Sequence, residues 1–199
     1  MSETMNQKTG TRNIVITGLL LALEIIFQIL GNYFQIGLVN INLTLIAVVL
    51  AGVLCGPGSA MVLGFFNGVM ALFSPSTMAL FMPVSPHGTV ITCFTKCTIA
   101  GFVSALVFKA LKNKNRTLGL ILASILVPIL NTGIFCLGSL IFFKPLLKDM
   151  ISEKLPNIGA VLILGFIGWN FIFELLSTAI ISPIVGTILL KREEKPQND

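Results

Sequence analysis

The sequence predicts an all-α integral membrane protein: a bundle of six transmembrane helices with both termini in the cytoplasm. Three observations lead there. Hydrophobic residues are 55% of the 199 and charged residues 11%, with a mean hydropathy of +0.95, whereas a soluble domain has roughly a quarter of its residues charged. Short polar or Gly/Pro breaks cut the apolar sequence into pieces about as long as a bilayer is thick. Basic residues are also shared unequally between alternate connections, as they are in membrane proteins. The expected plan is one membrane domain over residues 13–190, with cytoplasmic tails at 1–12 and 191–199.

The first helix is expected over 13–31. Lys8 and Arg12 before the apolar run from Ile14 to Leu30 superficially resemble a secretory signal. Further spans follow, rather than a small-residue cleavage site, so the helix reads as retained. Glu24, Gln28 and Asn32 stand at steps of four and form one polar stripe. Nearer the N-terminus, Gly18 and Ala22 form a small-xxx-small face that lets another helix approach closely.

The second and third helices are expected over 40–55 and 59–73. Gly56-Pro57-Gly58 halts a helix and permits reversal, so the apolar run from Leu43 to Phe73 reads as a hairpin. Asn40 and Asn42 open the second helix, either as caps or as pocket residues. The following connection, SPSTMALFMPVSPH, carries Met78, Leu80, Phe81, Met82 and Val84. So much apolar surface suits a lid folded onto the helices, or a loop dipping into lipid headgroups.

The fourth helix, expected over 88–110, opens beside His87 and carries Thr89, Thr92 and Lys96 on one stripe. In the fifth, over 117–143, Pro128 removes a backbone donor and Asn131-Thr132-Gly133 follows within a turn. Asn131 then either lines a pocket or fills the freed backbone valence. The sixth, over 159–190, places Asn170 and Glu174 four apart beside Trp169.

Six spans put Lys8, Arg12, Lys109, Lys112, Lys114, Arg116, Lys191, Arg192 and Lys195 on one side, against Lys144, Lys148 and Lys154 on the other. The richer side is cytoplasmic. This bias accounts for the net charge of +5 without a nucleic-acid partner.

Function is to be sought in the polar residues inside the spans. An ionisable group facing lipid costs at least about 2.5 kcal/mol, so Glu24, Lys96 and Glu174 imply an interior to line. Counting about 1.5 Å per residue puts Glu24 and Lys96 at a common depth. They either form a buried ion pair, or Lys96 meets a ligand's carboxylate or phosphate while Glu24 accepts from ligand or loop. Asn170 offers donors and an acceptor, whereas Glu174 is equally suited to packing. The ligand-binding candidates are therefore Lys96 and Asn170, followed by Gln28, Glu24, Asn40, Asn131, His87 and Thr92. Cys55, Cys93, Cys97 and Cys136 lack partners at metal-ligand spacing and read as packing residues. No catalytic constellation and no metal or other cofactor is called for: HExxH and GxSxG are absent, and there is one His.

Taken together, the chain resembles the substrate-binding S components of energy-coupling factor (ECF) transporters. The resemblance spans nearly the whole sequence. It rests on six helices in about 200 residues, the basic N-terminal end leading into Gly18-x-x-x-Ala22, the NINLTLIAVVLAGVLCGPGSAMVLGFFNGV hairpin, the hydrophobic third connection, and the PILNTGIF and GWNFIFELL segments. The family's first-helix motif is Ala-x-x-x-Ala, so Gly18 is a departure that still permits close packing. The resemblance implies a multi-pass protein of a bacterial or archaeal cell membrane that captures a water-soluble vitamin or related micronutrient under outer loops. It would then dock through its first helices on a transmembrane coupling subunit driven by two ATPase subunits. The chain has no G-x-x-x-x-G-K-[ST] phosphate loop of its own. The competing reading is an ion-coupled secondary transporter of a small polar solute, in which Glu24 and Glu174 would carry protons or sodium.

Overall fold

Apolar side chains all round a helix demand burial on every side, and one helix of this protein meets that demand. The computed structural model describes the backbone of residues 2–33, 35–36, 39–40 and 43–194, and the side chains of 10–31 and 43–192. In it α2 (Leu45–Leu54) is buried at every position from Leu45 to Val53. Helices α1 (Ser2–Tyr33), α3 (Pro57–Leu72), α5 (Pro86–Leu111), α6 (Arg116–Phe142) and α9 (Gly168–Glu194) are packed around it.

Among the described residues, four helical stretches are long and apolar enough to cross a membrane: Gly10–Gly31, Pro86–Leu111, Arg116–Phe142 and Ile158–Arg192. α2 and α3 are shorter. At about 1.5 Å per residue the ten residues of α2 rise only about 15 Å, half a hydrocarbon core. The expected start at residue 40 is corrected accordingly. Asn40 lies in β2 (Val39–Asn40), which pairs antiparallel with β1 (Gln35–Ile36), and Thr44 precedes the first turn of α2 instead. Asn42 and the side chains of Asn32 and Asn40 lie outside the described residues. α1 starts earlier than expected, because nothing between Ser2 and Ile14 interrupts a helix except Gly10, which a helix tolerates.

The hairpin between α2 and α3 turns at Gly56, whose φ of 96° is open to glycine and strained for other residues. Pro57 then opens α3, where its missing N–H costs no helical bond. α3 lies against α5 at backbone distance. A Cβ on Gly64 would stand 2.5 Å from the Cys97 carbonyl oxygen, and one on Gly68 would stand 2.8 Å from that of Cys93. Asn67, between these glycines, is thereby brought against α5.

Two short helices, α4 (Pro75–Leu80) and α7 (Lys144–Asp149), cap the same end of the bundle. The last long segment is broken where a continuous helix was expected. It runs as a short turn, α8 (Ile158–Ala160), then a π-helical stretch over Val161–Ile167, and resumes as α9 at Gly168, whose φ is 30°. Leu147, Val161, Leu162 and Phe166 join Phe81 and Phe143 in one apolar cluster at this end.

Candidate ligand-binding site

A cleft of about 100 Å³ opens between α1, α3, α4, α5, α6 and the junction of the π-helical stretch with α9. Periodicity explains which side chains reach it. Asn170 and Glu174 are one turn apart on α9, Asn131, Thr132 and Phe135 share a face of α6, and Lys96 projects from the middle of α5. Gln28 comes from α1, and Ser74, Ser76 and Thr77 from the start of α4. The wall thus offers one ammonium, one carboxylate, three amides and several hydroxyls, backed by the rings of Phe135, Phe166 and Phe171.

The Lys96 ammonium lies 5.4 Å from the centroid of the Phe135 ring, a cation–π contact that steadies the charge without using its hydrogen-bond donors. Phe81, packed against two phenylalanines of the cleft wall, is only 6% exposed. Its ring stands 5.0 Å from Phe143, 5.4 Å from Phe166 and 5.7 Å from Phe135. The segment after α3 is tied at its start by Ser74, whose hydroxyl donates its one hydrogen to the Ala71 carbonyl at 2.9 Å and accepts from the Thr77 hydroxyl at 2.8 Å.

Of the residues singled out from the sequence, Lys96, Asn170, Gln28 and Asn131 meet at this cleft, together with Glu174. Glu24 does not line it. Its carboxylate is wholly buried and accepts from Asn67 Nδ2 at 2.9 Å, so the shared depth with Lys96 does not make an ion pair. Thr92 is buried against Gly138 of α6, where a Cβ would collide with it. His87 is exposed on the first turn of α5. Gly18 and Ala22 are exposed on α1, and nothing lies within 4 Å of where a Gly18 Cβ would stand.

Sequence reasoning missed Asn67. It is 1% exposed and forms the hub of a buried polar chain. Its nitrogen donates to Glu24 and to the Thr44 hydroxyl, and its oxygen accepts from the Cys97 thiol at 3.0 Å. Cys97 also lies 3.3 Å from the oxygen of Asn131 at the cleft wall. The available signal was Gly64-x-x-Asn67-Gly68, a small-xxx-small face that brings a polar residue against a neighbouring backbone. The hydroxyls of Ser74, Ser76 and Thr77 were missed because that segment was read for its apolar residues.

A predominantly helical, multi-spanning chain with a polar cleft held between its helices narrows the field, and comparison with known families decides it. Residues 12–188 match the family described as the substrate-specific component of ECF transporters. The chain belongs to that family. As an ECF substrate-specific component it is a transport subunit of the membrane, not an enzyme. Among known proteins this S component is similar to the pantothenate transporter PanT of Leuconostoc mesenteroides subsp. mesenteroides. The two are 28% identical over 200 aligned positions, covering 93% of this chain and 95% of that protein. No solved structure matches it.

Proposed function

We propose that this S component captures pantothenate, or a closely related carboxylated micronutrient, for an ATP-driven ECF importer. The observation that carries the reading is the meeting of Lys96 with amide and hydroxyl side chains over a phenylalanine wall. Pantothenate has a carboxylate, an amide, two hydroxyls and a gem-dimethyl group. Lys96 suits the carboxylate, Asn131, Asn170 and Gln28 suit the amide and hydroxyls, and Phe135 and Phe166 suit the methyl groups. The full-length likeness to a pantothenate transporter supports the same choice.

The topology proposed is six crossings with both ends cytoplasmic, α2 and α3 being the short ones. Arg12, Lys109, Lys112, Lys114, Arg116, Lys191 and Arg192 would then face the cytoplasm of a bacterial or archaeal cell, and Lys144, Lys148 and Lys154 the outside. The segment around α4 serves as the lid, with Phe81 as its anchor. Coupling to a transmembrane subunit and two ATPases takes place through the exposed face of α1 that holds Gly18 and Ala22. That face carries Val15, Leu19, Ile26 and Ile29 in the open, as a helix awaiting a partner in lipid would.

Titration calorimetry of the purified protein with pantothenate tests the assignment, and loss of binding in Lys96→Ala tests the residue. Tight binding of an uncharged nutrient with no response to pantothenate would reject the ligand class.

A further inference from the structure

Asn131 faces two ways. It lines the cleft, and its oxygen accepts from the Cys97 thiol at 3.3 Å. The same sulfur stands 3.0 Å from the oxygen of Asn67. Cys97 is 1% exposed and Asn131 4%, so bulk water is not a ready substitute for either contact. A thiol carries one hydrogen. It therefore serves one of these amide oxygens at a time.

The two amides are not equally free to respond. The nitrogen of Asn67 is held by Glu24 and Thr44, which keeps its oxygen turned to Cys97. Among the described residues, the side chain of Asn131 is held through its Cys97 contact. When the thiol hydrogen points to Asn131, that oxygen is drawn inward and the NH₂ group is left for the cleft. When the hydrogen points to Asn67, two electron-rich atoms face each other at Asn131. Its amide is then better placed reversed, with the nitrogen donating to sulfur, a weak acceptor, and the oxygen turned to the cleft.

We infer that Cys97 is a positioning residue whose single hydrogen sets which end of the Asn131 amide the cleft presents, and that a ligand carbonyl or carboxylate oxygen at this wall draws it to Asn131. The inference rests on the capture role proposed above and adds a rule for this wall: a ligand acceptor is matched with the thiol hydrogen on Asn131, and a ligand donor with the hydrogen on Asn67. It also links the cleft to α1. A ligand acceptor that recruits the thiol for Asn131 takes it from Asn67, the residue that ties α3 to Glu24, so occupancy and the α1–α3 contact are coupled reciprocally.

The S–H stretching band reads this directly. In full-length protein with Cys55, Cys93 and Cys136 replaced by Ala, Cys97 is the only thiol and its infrared band is unambiguous. Adding pantothenate is expected to shift the band, Asn131→Leu is expected to shift it without ligand, and pantothenate is expected to leave it unmoved in Asn131→Leu. In calorimetry, Cys97→Ala is expected to weaken pantothenate binding about tenfold, while Cys97→Ser, which keeps one hydrogen, holds within about threefold of the starting affinity. A band that is the same with and without ligand and in Asn131→Leu overturns the inference, as does wild-type affinity in Cys97→Ala. If the unaltered protein does not bind pantothenate, the capture reading fails alone. The ligand-free comparison with Asn131→Leu still decides the thiol's role, an unmoved band overturning it.

Discussion

Asn67 donates to Glu24 across 2.9 Å and joins α3 to α1 at a carboxylate with no solvent exposure. A charged side chain in a membrane segment is ordinarily read as part of a solute path. Here it is a structural acceptor one step removed from the cleft. Asn67→Ala is expected to destabilise the protein by about 1–3 kcal/mol, because it removes the donor to the buried Glu24 carboxylate. Thermal unfolding in detergent measures this, and an unchanged midpoint would show that the contact contributes nothing.

The α3–α5 interface is closed by glycine. Gly64→Ala places a methyl group 2.5 Å from the Cys97 carbonyl, and backbone cannot yield as a flexible side chain does. The expected cost is about 1–3 kcal/mol, with ligand affinity falling as Cys97 and Lys96 shift with their helix. Unfolding and binding measured on the same variant should therefore fall together.

Gly18 supplies the contrast. It has open space on its outer side, so Gly18→Leu is expected to leave folding and ligand binding of the isolated chain within about 0.5 kcal/mol of the original. Uptake by cells that also express the coupling subunit and ATPases is expected to drop. Unimpaired uptake would move the docking surface away from this face.

Phe81 sits among three other phenylalanine rings that close the end of the bundle. Phe81→Ala is expected to cost about 3–5 kcal/mol, the range for truncating a buried aromatic, and to speed ligand release because the segment loses its anchor. Stopped-flow dissociation of bound pantothenate distinguishes the lid role from packing alone: a stability loss with unchanged release rate leaves only packing.

The spans and the hairpin at Gly56 were legible because hydropathy and chain-breaking residues act locally. Lys96, Asn131, Asn170 and Gln28 were legible as cleft candidates because helical spacing puts polar residues on stripes whose depth can be counted. That count misled at Glu24. Depth says nothing about rotation around the bundle, and Glu24 turns toward Asn67 on α3 rather than toward Lys96. The early start assigned to α2 came from reading Asn40 and Asn42 as helix caps, whereas the residue before the first turn is Thr44. The π-helical stretch before Gly168 has no local sequence signal beyond the glycine itself, because it depends on how Val161 and Phe166 fit the cluster beneath Phe81.

Asn170, 8% exposed, lines the cleft from α9 one turn before Glu174. Asn170→Ala is expected to weaken pantothenate binding at least about tenfold without lowering the unfolding temperature appreciably. Equal affinity in calorimetry would remove it from the site.

The central claim is that Lys96, backed by Phe135, receives the carboxylate of a vitamin-like ligand. Titration calorimetry of pantothenate against the purified wild-type chain and Lys96→Ala tests it most directly. The expected result is saturable binding to the wild type and a loss of at least about tenfold, about 1.4 kcal/mol, in the variant. Binding that survives Lys96→Ala undiminished would contradict it.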